Sequence, residues 1–127
     1  MTKWLALPIL LLAAGCTAQP RCMTIVELNN SCKIPVQAAL ENYTNSSSVN
    51  SELIIIEPDA TILAAQINGF SCDLNESLKK GYSITFDTSL SHKKMERSEI
   101  INSVVFNKAK SGRTYRYWLL DTKGLCP

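Results

Sequence analysis

The stretch that decides the fold is residues 32–41, Cys-Lys-Ile-Pro-Val-Gln-Ala-Ala-Leu-Glu, because its side chains alternate in polarity. The even positions are Cys, Ile, Val, Ala and Leu, whereas the odd positions are Lys, Pro, Gln, Ala and Glu. A period of two is typical of a β-strand with one buried face. Pro35 has no amide hydrogen to donate, so we expect this strand to lie at a sheet edge or to carry a bulge.

Other segments repeat this alternation or form short apolar runs between turn residues. We expect further strands at residues 23–28, 53–57, 61–67, 82–87 and 114–120. The run 53–57 is apolar enough to be covered on both faces. Residues 99–107 fit a helix face or a strand, and their β-branched residues favour a strand.

A short helix and a polar loop complete the expected pattern. Asp73 and Glu76 have the spacing of a capping box, which predicts a helix at residues 74–80. Residues 89–98 are the most polar stretch and are expected to form a loop. The predicted fold class is all-β: an antiparallel β-sandwich of about seven strands, immunoglobulin-like or transthyretin-like, and stapled by disulfides.

Length and composition fit one folded domain and exclude several classes of protein. The 127 residues are 46% hydrophobic and 19% charged, a composition that excludes wholesale disorder. The net charge of +2 is too small to indicate a nucleic-acid partner. The chain has no G-x-S-x-G, P-loop or H-E-x-x-H motif, and no carboxylate pair stands out. We therefore predict a protein that is not an enzyme, with no cofactor, metal or evident small-molecule substrate.

The first residues have the pattern of an export signal. Lys3 precedes an uncharged run from Trp4 to Ala14, which is about half the ~20 residues that a membrane-spanning helix needs. A run of this length is typical of the apolar region of a signal peptide. Small side chains at residues 13–15 suit an extended segment at a cleavage site, and Cys16 follows them directly.

Ala13-Ala14-Gly15-Cys16 resembles the lipobox of bacterial lipoproteins, in which the cysteine is acylated and the chain is cut before it. The family usually has Leu where this chain has Ala13, and Thr17 is not the Asp that tends to hold such proteins at the inner membrane. The resemblance implies a signal peptide at residues 1–15, lipidation (palmitate included) at Cys16 and a tether at residues 16–21. It also implies a lipid anchor at the periplasmic face of the outer membrane, with the sandwich domain at residues 22–127. The alternative is ordinary cleavage after Ala18, which releases a secreted protein without lipid.

The remaining cysteines predict structural bridges. Cys22, Cys32, Cys72 and Cys126 form an even set in an exported chain, which indicates two disulfides. Four cysteines permit three pairings, and we favour Cys22 with Cys126 and Cys32 with Cys72. Zinc is a poor alternative, because no C-x-x-C pair is present and the chain has one histidine. That histidine, His92, has no adjacent group to orient it, so we interpret it as a solvated loop residue.

Basic residues in the second half of the chain are the candidate partner-binding site. Residues 16–76 carry a net charge of −5, whereas residues 77–127 carry +6. Trp118 falls on the same strand face as Arg116, so we expect that face to be exposed, with Tyr115 and Tyr117 in the core. Arginine beside an exposed tryptophan is a composition that interface hot spots prefer. The candidate residues are Lys93, Lys94, Arg97, Arg113, Arg116 and Trp118.

These observations predict a protein that acts by binding rather than by catalysis. Our primary hypothesis is an accessory or assembly module that binds another envelope protein and is held to the membrane by its N-terminal lipid. A second hypothesis is an inhibitor or exclusion factor that blocks an incoming enzyme, toxin or phage protein. A third is a periplasmic enzyme with unrecognised carboxylates, which requires a pocket with convergent carboxylates of shifted pKa.

Overall fold

Eight strands and two short helices make up the computed structural model, which describes residues 21–110 and 115–126. The strands are β1 Cys22–Asn29, β2 Val36–Glu41, β3 Ser51–Ile56, β4 Thr61–Gly69, β5 Ser83–Asp87, β6 His92–Glu96, β7 Val105–Lys110 and β8 Tyr115–Asp121. The helices are α1 Leu74–Ser77 and α2 Arg97–Ser103, and a 3-10 turn spans Lys123–Leu125. The predicted signal peptide, Cys16, the predicted tether as far as residue 20 and Arg113 lie outside the described residues.

The strands form two sheets of four that pack as a sandwich. Sheet 1 has the order β4-β1-β8-β7, and sheet 2 has the order β3-β2-β5-β6. Every neighbouring pair is antiparallel except β1 and β8, which run parallel. The predicted β-sandwich is confirmed, with eight strands rather than about seven. The additional strand is β6, which lies in the segment that we predicted to be a polar loop.

The core forms where the inner faces of the two sheets meet. Even positions of β1 are buried from Cys22 to Leu28, and even positions of β2 are buried from Val36 to Leu40. Ile84 of β5 lies beside Leu40 of β2 in sheet 2, and Tyr82, which precedes β5, is fully buried in the same core. Each fully buried large aliphatic side chain contributes about 1.5–3 kcal/mol relative to an exposed one. The period-two pattern of the sequence therefore corresponds to real burial in the central strands.

Two strand predictions are wrong about position within the sheet. Pro35 precedes β2, which begins at Val36 and lies between β3 and β5, so β2 is not an edge strand. β3 was expected to be covered on both faces, but it is an edge strand whose Leu53 and Ile55 are 62% and 63% exposed. No third layer of the described chain covers the outer face of sheet 2, so these apolar side chains face solvent.

The segment 99–107 contains both of the structures that its pattern allowed. α2 extends to Ser103, and β7 begins at Val105, so the preference for a strand is wrong for its first half. Ile100 is fully buried in the core, and this burial outweighs the weak helix propensity of β-branched residues. α1 has Asp73 as its N-cap, with Asp73 Oδ1 accepting a hydrogen bond from the Asn75 amide at 3.0 Å, but it ends at Ser77. No helix within the described ranges is long and apolar enough to cross a membrane.

Two disulfides join the four predicted cysteines, but in a different pairing from the one we favoured. Cys22 bonds to Cys72, and Cys32 bonds to Cys126. Cys22 is the first residue of β1 and Cys72 follows β4, which pairs with β1 in register Cys22–Gly69, so strand pairing brings the two thiols together. Cys32 follows β1 and Cys126 follows β8, and these strands are also neighbours. Each bridge therefore connects the ends of strands that pair within sheet 1.

A buried asparagine organises the end of sheet 1 where the Cys32–Cys126 bridge lies. Asn30 is fully buried, and its side-chain Nδ2 donates to the carbonyls of Ile34 at 3.0 Å and Ile56 at 2.9 Å. Its Oδ1 accepts from the Cys32 amide at 2.9 Å and from the Thr122 hydroxyl at 3.1 Å. A buried amide with all four hydrogen bonds satisfied locks the local backbone in one conformation.

Candidate functional site

The hairpin formed by β7 and β8 is the least covered part of the sandwich. All six residues of β7 are exposed, and β7 is an edge of sheet 1. The pairing of β7 with β8 shifts register between Phe106 and Lys108, which leaves Asn107 as a bulge. Because β7 pairs only with β8 among the described strands, the backbone groups along its other side have no strand partner.

The outer face of sheet 1 contains an apolar and aromatic region, beside Gln66 and Asn68 of β4 and Lys108 and Lys110 of β7. The parallel register places Tyr115 beside Met23 and Tyr117 beside Ile25, all on the face that points away from the core. We name this surface the outer strip, and its members are Met23, Ile25, Leu63, Val105, Tyr115, Tyr117 and Leu119. Val105 is 67% exposed and Tyr115 is 38% exposed. One carboxylate, that of Glu27, interrupts the strip between Leu63 and Leu119.

Two lysines of β7 flank one tyrosine of the outer strip. Lys108 Nζ lies 5.3 Å from the centroid of the Tyr117 ring, and Lys110 Nζ lies 5.2 Å from it. Neither ammonium group forms an ion pair with a carboxylate of the described chain. We call these three residues the lysine–tyrosine cluster. Two unneutralised positive charges beside an aromatic ring can bind an acidic segment and supply apolar contact area at the same point.

Arg116 and Trp118 face inward, contrary to our expectation. Their positions on β8 match Thr24 and Val26 of β1, which are both fully buried. Alternation on β8 therefore puts Tyr115 and Tyr117 outside, and the predicted assignment of the two faces is wrong. The sequence pattern alone does not indicate which face of β8 is buried, because β8 has large side chains on both faces.

The inner face of the hairpin carries an aromatic–arginine stack. The rings of Phe106 and Trp118 meet edge to face, with centroids 5.3 Å apart and planes at 79°. The Arg116 guanidinium carbon lies 5.7 Å from the centroid of Phe106. Arg116 and Trp118 also line a pocket of about 340 Å³ together with residues of α1 and α2.

The three predicted basic residues that lie outside the hairpin, Lys93, Lys94 and Arg97, have partners of their own. Lys93 forms an ion pair with Glu99 at 3.1 Å, and Lys94 forms one with Glu96 at 3.6 Å. Arg97 donates from Nε to the Leu78 carbonyl at 3.0 Å and from Nη2 to the Asn75 carbonyl. Arg97 thus connects α2 to the segment around α1, which is a structural role.

The titratable groups form no arrangement that indicates catalysis. His92 lies in β6 rather than in a loop, and its Nδ1 pairs with Asp87 Oδ1, so it does have a partner, on an exposed part of sheet 2. Burial raises the pKa of Tyr82, whose hydroxyl donates to the Ala64 carbonyl at 2.9 Å. A hydrogen bond from the Tyr43 hydroxyl to Glu52 at 2.8 Å raises the pKa of Tyr43. Within the described ranges, no three His, Cys, Asp or Glu side chains lie close enough together to hold a metal ion.

The outer strip is the functional candidate that reasoning from sequence missed. The sequence of β1 does contain a signal for this strip. Met23 and Ile25 are apolar, although they lie at the alternate positions of β1 that face away from the core. A strand that is apolar on both faces needs either a second covering layer or a partner. Comparison of the chain with protein-family models, with curated proteins and with solved structures gives no match.

Proposed function

We propose that this chain is a protein-binding lipoprotein of the bacterial outer membrane, an accessory module that docks an extended acidic segment of another envelope protein along β7. The lysine–tyrosine cluster is the observation that carries this proposal. It combines, at one place, two lysines without an ion pair among the described residues, an aromatic ring, and a strand edge that no described strand covers. Strand addition uses such an edge, with backbone hydrogen bonds giving affinity and alternate side chains giving specificity.

An acidic segment of a different protein fits this edge better than a second copy of the chain. An antiparallel pairing of two β7 strands centred near Lys108 would bring lysines of both copies together, and like charges opposite each other destabilise a sheet. An acidic segment would instead neutralise Lys108 and Lys110 while it extends sheet 1. Of the outer strip, Val105 lies on β7 itself and would be next to the docked strand, whereas the other members lie on β1, β4 and β8.

The anchor is proposed from the sequence around Cys16, and the two disulfides are consistent with an oxidising compartment outside the cytoplasm. Three acyl chains, at about 0.8 kcal/mol for each buried methylene, would hold the chain far more firmly than one chain does. The direct test is labelling with radioactive palmitate. We expect incorporation into the wild-type chain and none into Cys16→Ser, and label retained in Cys16→Ser would contradict lipidation at this residue.

Site-specific photo-cross-linking in the native cells tests the docking surface. A cross-linking amino acid replaces Val105 beside the cluster, and the matched control replaces Leu53 of β3, because the two side chains are 67% and 62% exposed. We expect the probe at residue 105 to capture one protein through a segment rich in Asp and Glu. The same protein should not be captured from residue 53.

Charge reversal at the two lysines of the lysine–tyrosine cluster distinguishes specific docking from chance cross-linking. We expect Lys108→Glu with Lys110→Glu to abolish the cross-link from residue 105. The matched pair Lys93→Glu with Lys94→Glu on β6 should leave it unchanged, since those lysines already have carboxylate partners. Capture that survives reversal at residues 108 and 110, a captured segment without acidic residues, or cross-links only between two copies of the chain would each refute the proposal.

A further inference from the structure

The four edge strands of the sandwich differ in how they are protected against pairing with another chain. Proteins usually protect such edges with bulges, charged side chains or a covering segment. β7 has a bulge and two lysines, and every residue of β6 except Met95 is charged or polar. In β4, the Gln66 amide donates to the Tyr43 carbonyl at 2.9 Å. The Asn68 amide of the same strand donates to Asn45 Oδ1, so the open side of β4 is covered by the segment that follows β2.

β3 is the fourth edge, and it has little protection of this kind. It pairs with β2 without a register shift, and its six residues include no proline, lysine or arginine. Its one charged side chain, Glu52, accepts a hydrogen bond from the Tyr43 hydroxyl at 2.8 Å. Leu53 and Ile55 are 62% and 63% exposed, and Ile54 between them is half-buried. A flat, apolar edge strand is a template for another strand.

The backbone of β3 directs hydrogen-bonding groups to the open side at the residues whose side chains are exposed. The Asn42 amide donates to the Asn50 carbonyl at 2.6 Å, so these residues form a hydrogen-bonded pair that continues the register of β2 and β3. Hydrogen-bonded and non-hydrogen-bonded pairs alternate along an antiparallel ladder. Ile54 therefore bonds to β2, whereas the N–H and C=O groups of Leu53 and Ile55 point to the open edge.

We infer that β3 pairs antiparallel with β3 of a second copy of the chain, with Ile54 opposite the same residue of that copy. Sheet 2 of one copy then continues into sheet 2 of the other. In this register Leu53 lies opposite Ile55 twice, and both residues have their backbone groups free to form the new hydrogen bonds. The four exposed apolar side chains of these two pairs lie together on the outer face of the joined sheet.

The charges of β3 favour this register and permit pairing between identical strands. Glu52 lies opposite Ile56, and Glu57 lies opposite Ser51, so no two carboxylates face each other. A shift by two residues would place Leu53 opposite Glu57 or Ile55 opposite Ser51, and the apolar pairs would be lost. Self-pairing of β7 would bring lysines together, so the two edges differ in the partner that they accept.

The inferred contact closes at two copies. Antiparallel pairing of identical strands is two-fold symmetric and uses the same surface of each chain, so no edge of this kind remains for a third copy. Six residues on each side form a small contact compared with the roughly 20–30 residues a side of a standard interface. We therefore expect a reversible dimer. The inference does not depend on docking along β7, because β3 and β7 are edges of different sheets.

Photo-cross-linking in the native cells is the test, because covalent capture traps a reversible contact. The probe replaces Ser51, which is exposed at the start of β3 and lies opposite Glu57 in the inferred register. A tagged second copy without the probe is expressed in the same cells. We expect capture of the tagged copy through its residues 55–59 and no product larger than two chains. The matched control probe at Leu90, which is 70% exposed in the turn between β5 and β6, should not capture it.

Two charge variants of β3, introduced into both copies, test the register. Leu53→Lys with Ile55→Lys places lysines opposite each other and should lower capture about tenfold or more. Leu53→Lys with Ile55→Glu places opposite charges across the contact and should keep capture within about twofold of the wild type. Phe70→Lys with Leu90→Lys adds the same charge at exposed apolar residues outside β3 and should leave capture unchanged.

Folding of each variant is checked by recovery of both disulfides in the unreduced protein. If the double-lysine variant does not form them, the variant with Lys and Glu still decides, and loss of capture in that variant with both bridges intact would overturn the register. Capture of another protein in place of the second copy, a series of larger products, no capture from residue 51, or equal loss in both β3 variants would each contradict the inference.

Discussion

Replacement of Asn30 by alanine is the sharpest test of how the sandwich is held together. The Asn30 side chain is fully buried and makes four hydrogen bonds to groups from separate parts of the chain. Asn30→Ala leaves two carbonyls, one amide and one hydroxyl without this partner. An alanine has no polar side-chain atom, so only water or backbone movement can satisfy those groups.

The expected loss of stability follows from the number of orphaned groups. Each buried polar group left unpaired costs about 1–3 kcal/mol, and a water molecule that enters the vacated space recovers part of this. We therefore expect Asn30→Ala to lower the free energy of unfolding by about 3–5 kcal/mol, which is at the upper end for single substitutions. Because small domains have only about 5–15 kcal/mol of stability, this loss is readily measured.

Urea denaturation of the oxidised protein, followed by circular dichroism, gives the comparison. With an m-value of about 1–3 kcal/mol/M, the midpoint should fall by about 2 M urea. Asn29→Ala is the matched control, because the neighbouring Asn29 accepts one exposed hydrogen bond from Thr61 at 3.0 Å. We expect that control to cost less than about 1 kcal/mol.

A double-mutant cycle shows whether Asn30 acts through the network or by filling space. Thr122→Val removes the hydroxyl that donates to Asn30 Oδ1 and accepts from the Ser31 amide at 3.1 Å. The two substitutions share a hydrogen bond, so their combined cost should be smaller than the sum by about 0.5–1.5 kcal/mol. Additive costs, or a loss in Asn30→Ala no larger than in Asn29→Ala, would refute this account of the network.

Three further predictions concern a buried phenol, the disulfides and a turn. Because burial raises the pKa of Tyr82 from 10.0, the folded protein keeps a phenol proton that the unfolded chain loses, so stability should fall above pH ~10 by up to about 1.4 kcal/mol per pH unit. Tyr82→Phe should make this slope shallower in urea titrations between pH 9 and about 11, with the part due to Tyr43 remaining, and should cost about 1 kcal/mol at neutral pH. Replacing the Cys32–Cys126 pair by alanine should destabilise about 0.5 kcal/mol more than replacing Cys22–Cys72, because the separations are 94 and 50 residues. Gly81→Ala should lower the free energy of unfolding, measured by thermal unfolding, by about 1–2 kcal/mol, because its φ is +83° and an added Cβ would lie 3.1 Å from Asn42 Nδ2. Gly69→Ala should be close to neutral, because an added Cβ there would have no atom within 4 Å.

Each of these predictions has an outcome that contradicts it. An alkaline slope that is as steep in Tyr82→Phe as in the wild-type chain assigns the titration to another group. Peptide mapping of the unreduced protein that recovers Cys22 linked to Cys126 would overturn the strand pairing of sheet 1, because that pairing sets the bridges. Equal costs at Gly81 and Gly69 would mean that the turn before Tyr82 is not held in the left-handed conformation.

The sequence predicts the central strands well and the edges poorly, for a physical reason. β2 and β5 alternate in polarity because one face of each is buried in the core. In β1 the burial alternates in the same way, although Met23 and Ile25 on its outer face are also apolar. β6 buries only Met95 among charged neighbours, so its sequence resembles a loop. β3 shows the opposite failure, because its apolar residues suggest coverage that an edge strand lacks.

The prediction that Arg116 and Trp118 lie on an exposed strand face is wrong, whereas their role in partner binding stays a prediction. Arg116 and Trp118 were predicted as binding residues from their side-chain chemistry. Which face of β8 they occupy depends on the parallel pairing of β8 with β1. Parallel pairing of strands this far apart in the chain leaves no local signature in the sequence. The predicted disulfide pairing was wrong for the same reason, because the observed bridges Cys22–Cys72 and Cys32–Cys126 depend on which strands are neighbours in sheet 1.

The parallel pairing of β1 with β8 also determines when sheet 1 can form as the chain is synthesised and folds. β1 begins at Cys22 and its neighbour β8 ends at Asp121, so the two strands that meet in the middle of sheet 1 are made almost a whole domain apart. Sheet 1 therefore cannot close, and Cys32 cannot meet Cys126, until nearly the entire domain has emerged. Contacts between such distant parts of a chain make folding slow. During that interval Cys32 lacks its native partner, and an early Cys22–Cys72 bridge would keep it from pairing with either of those two cysteines.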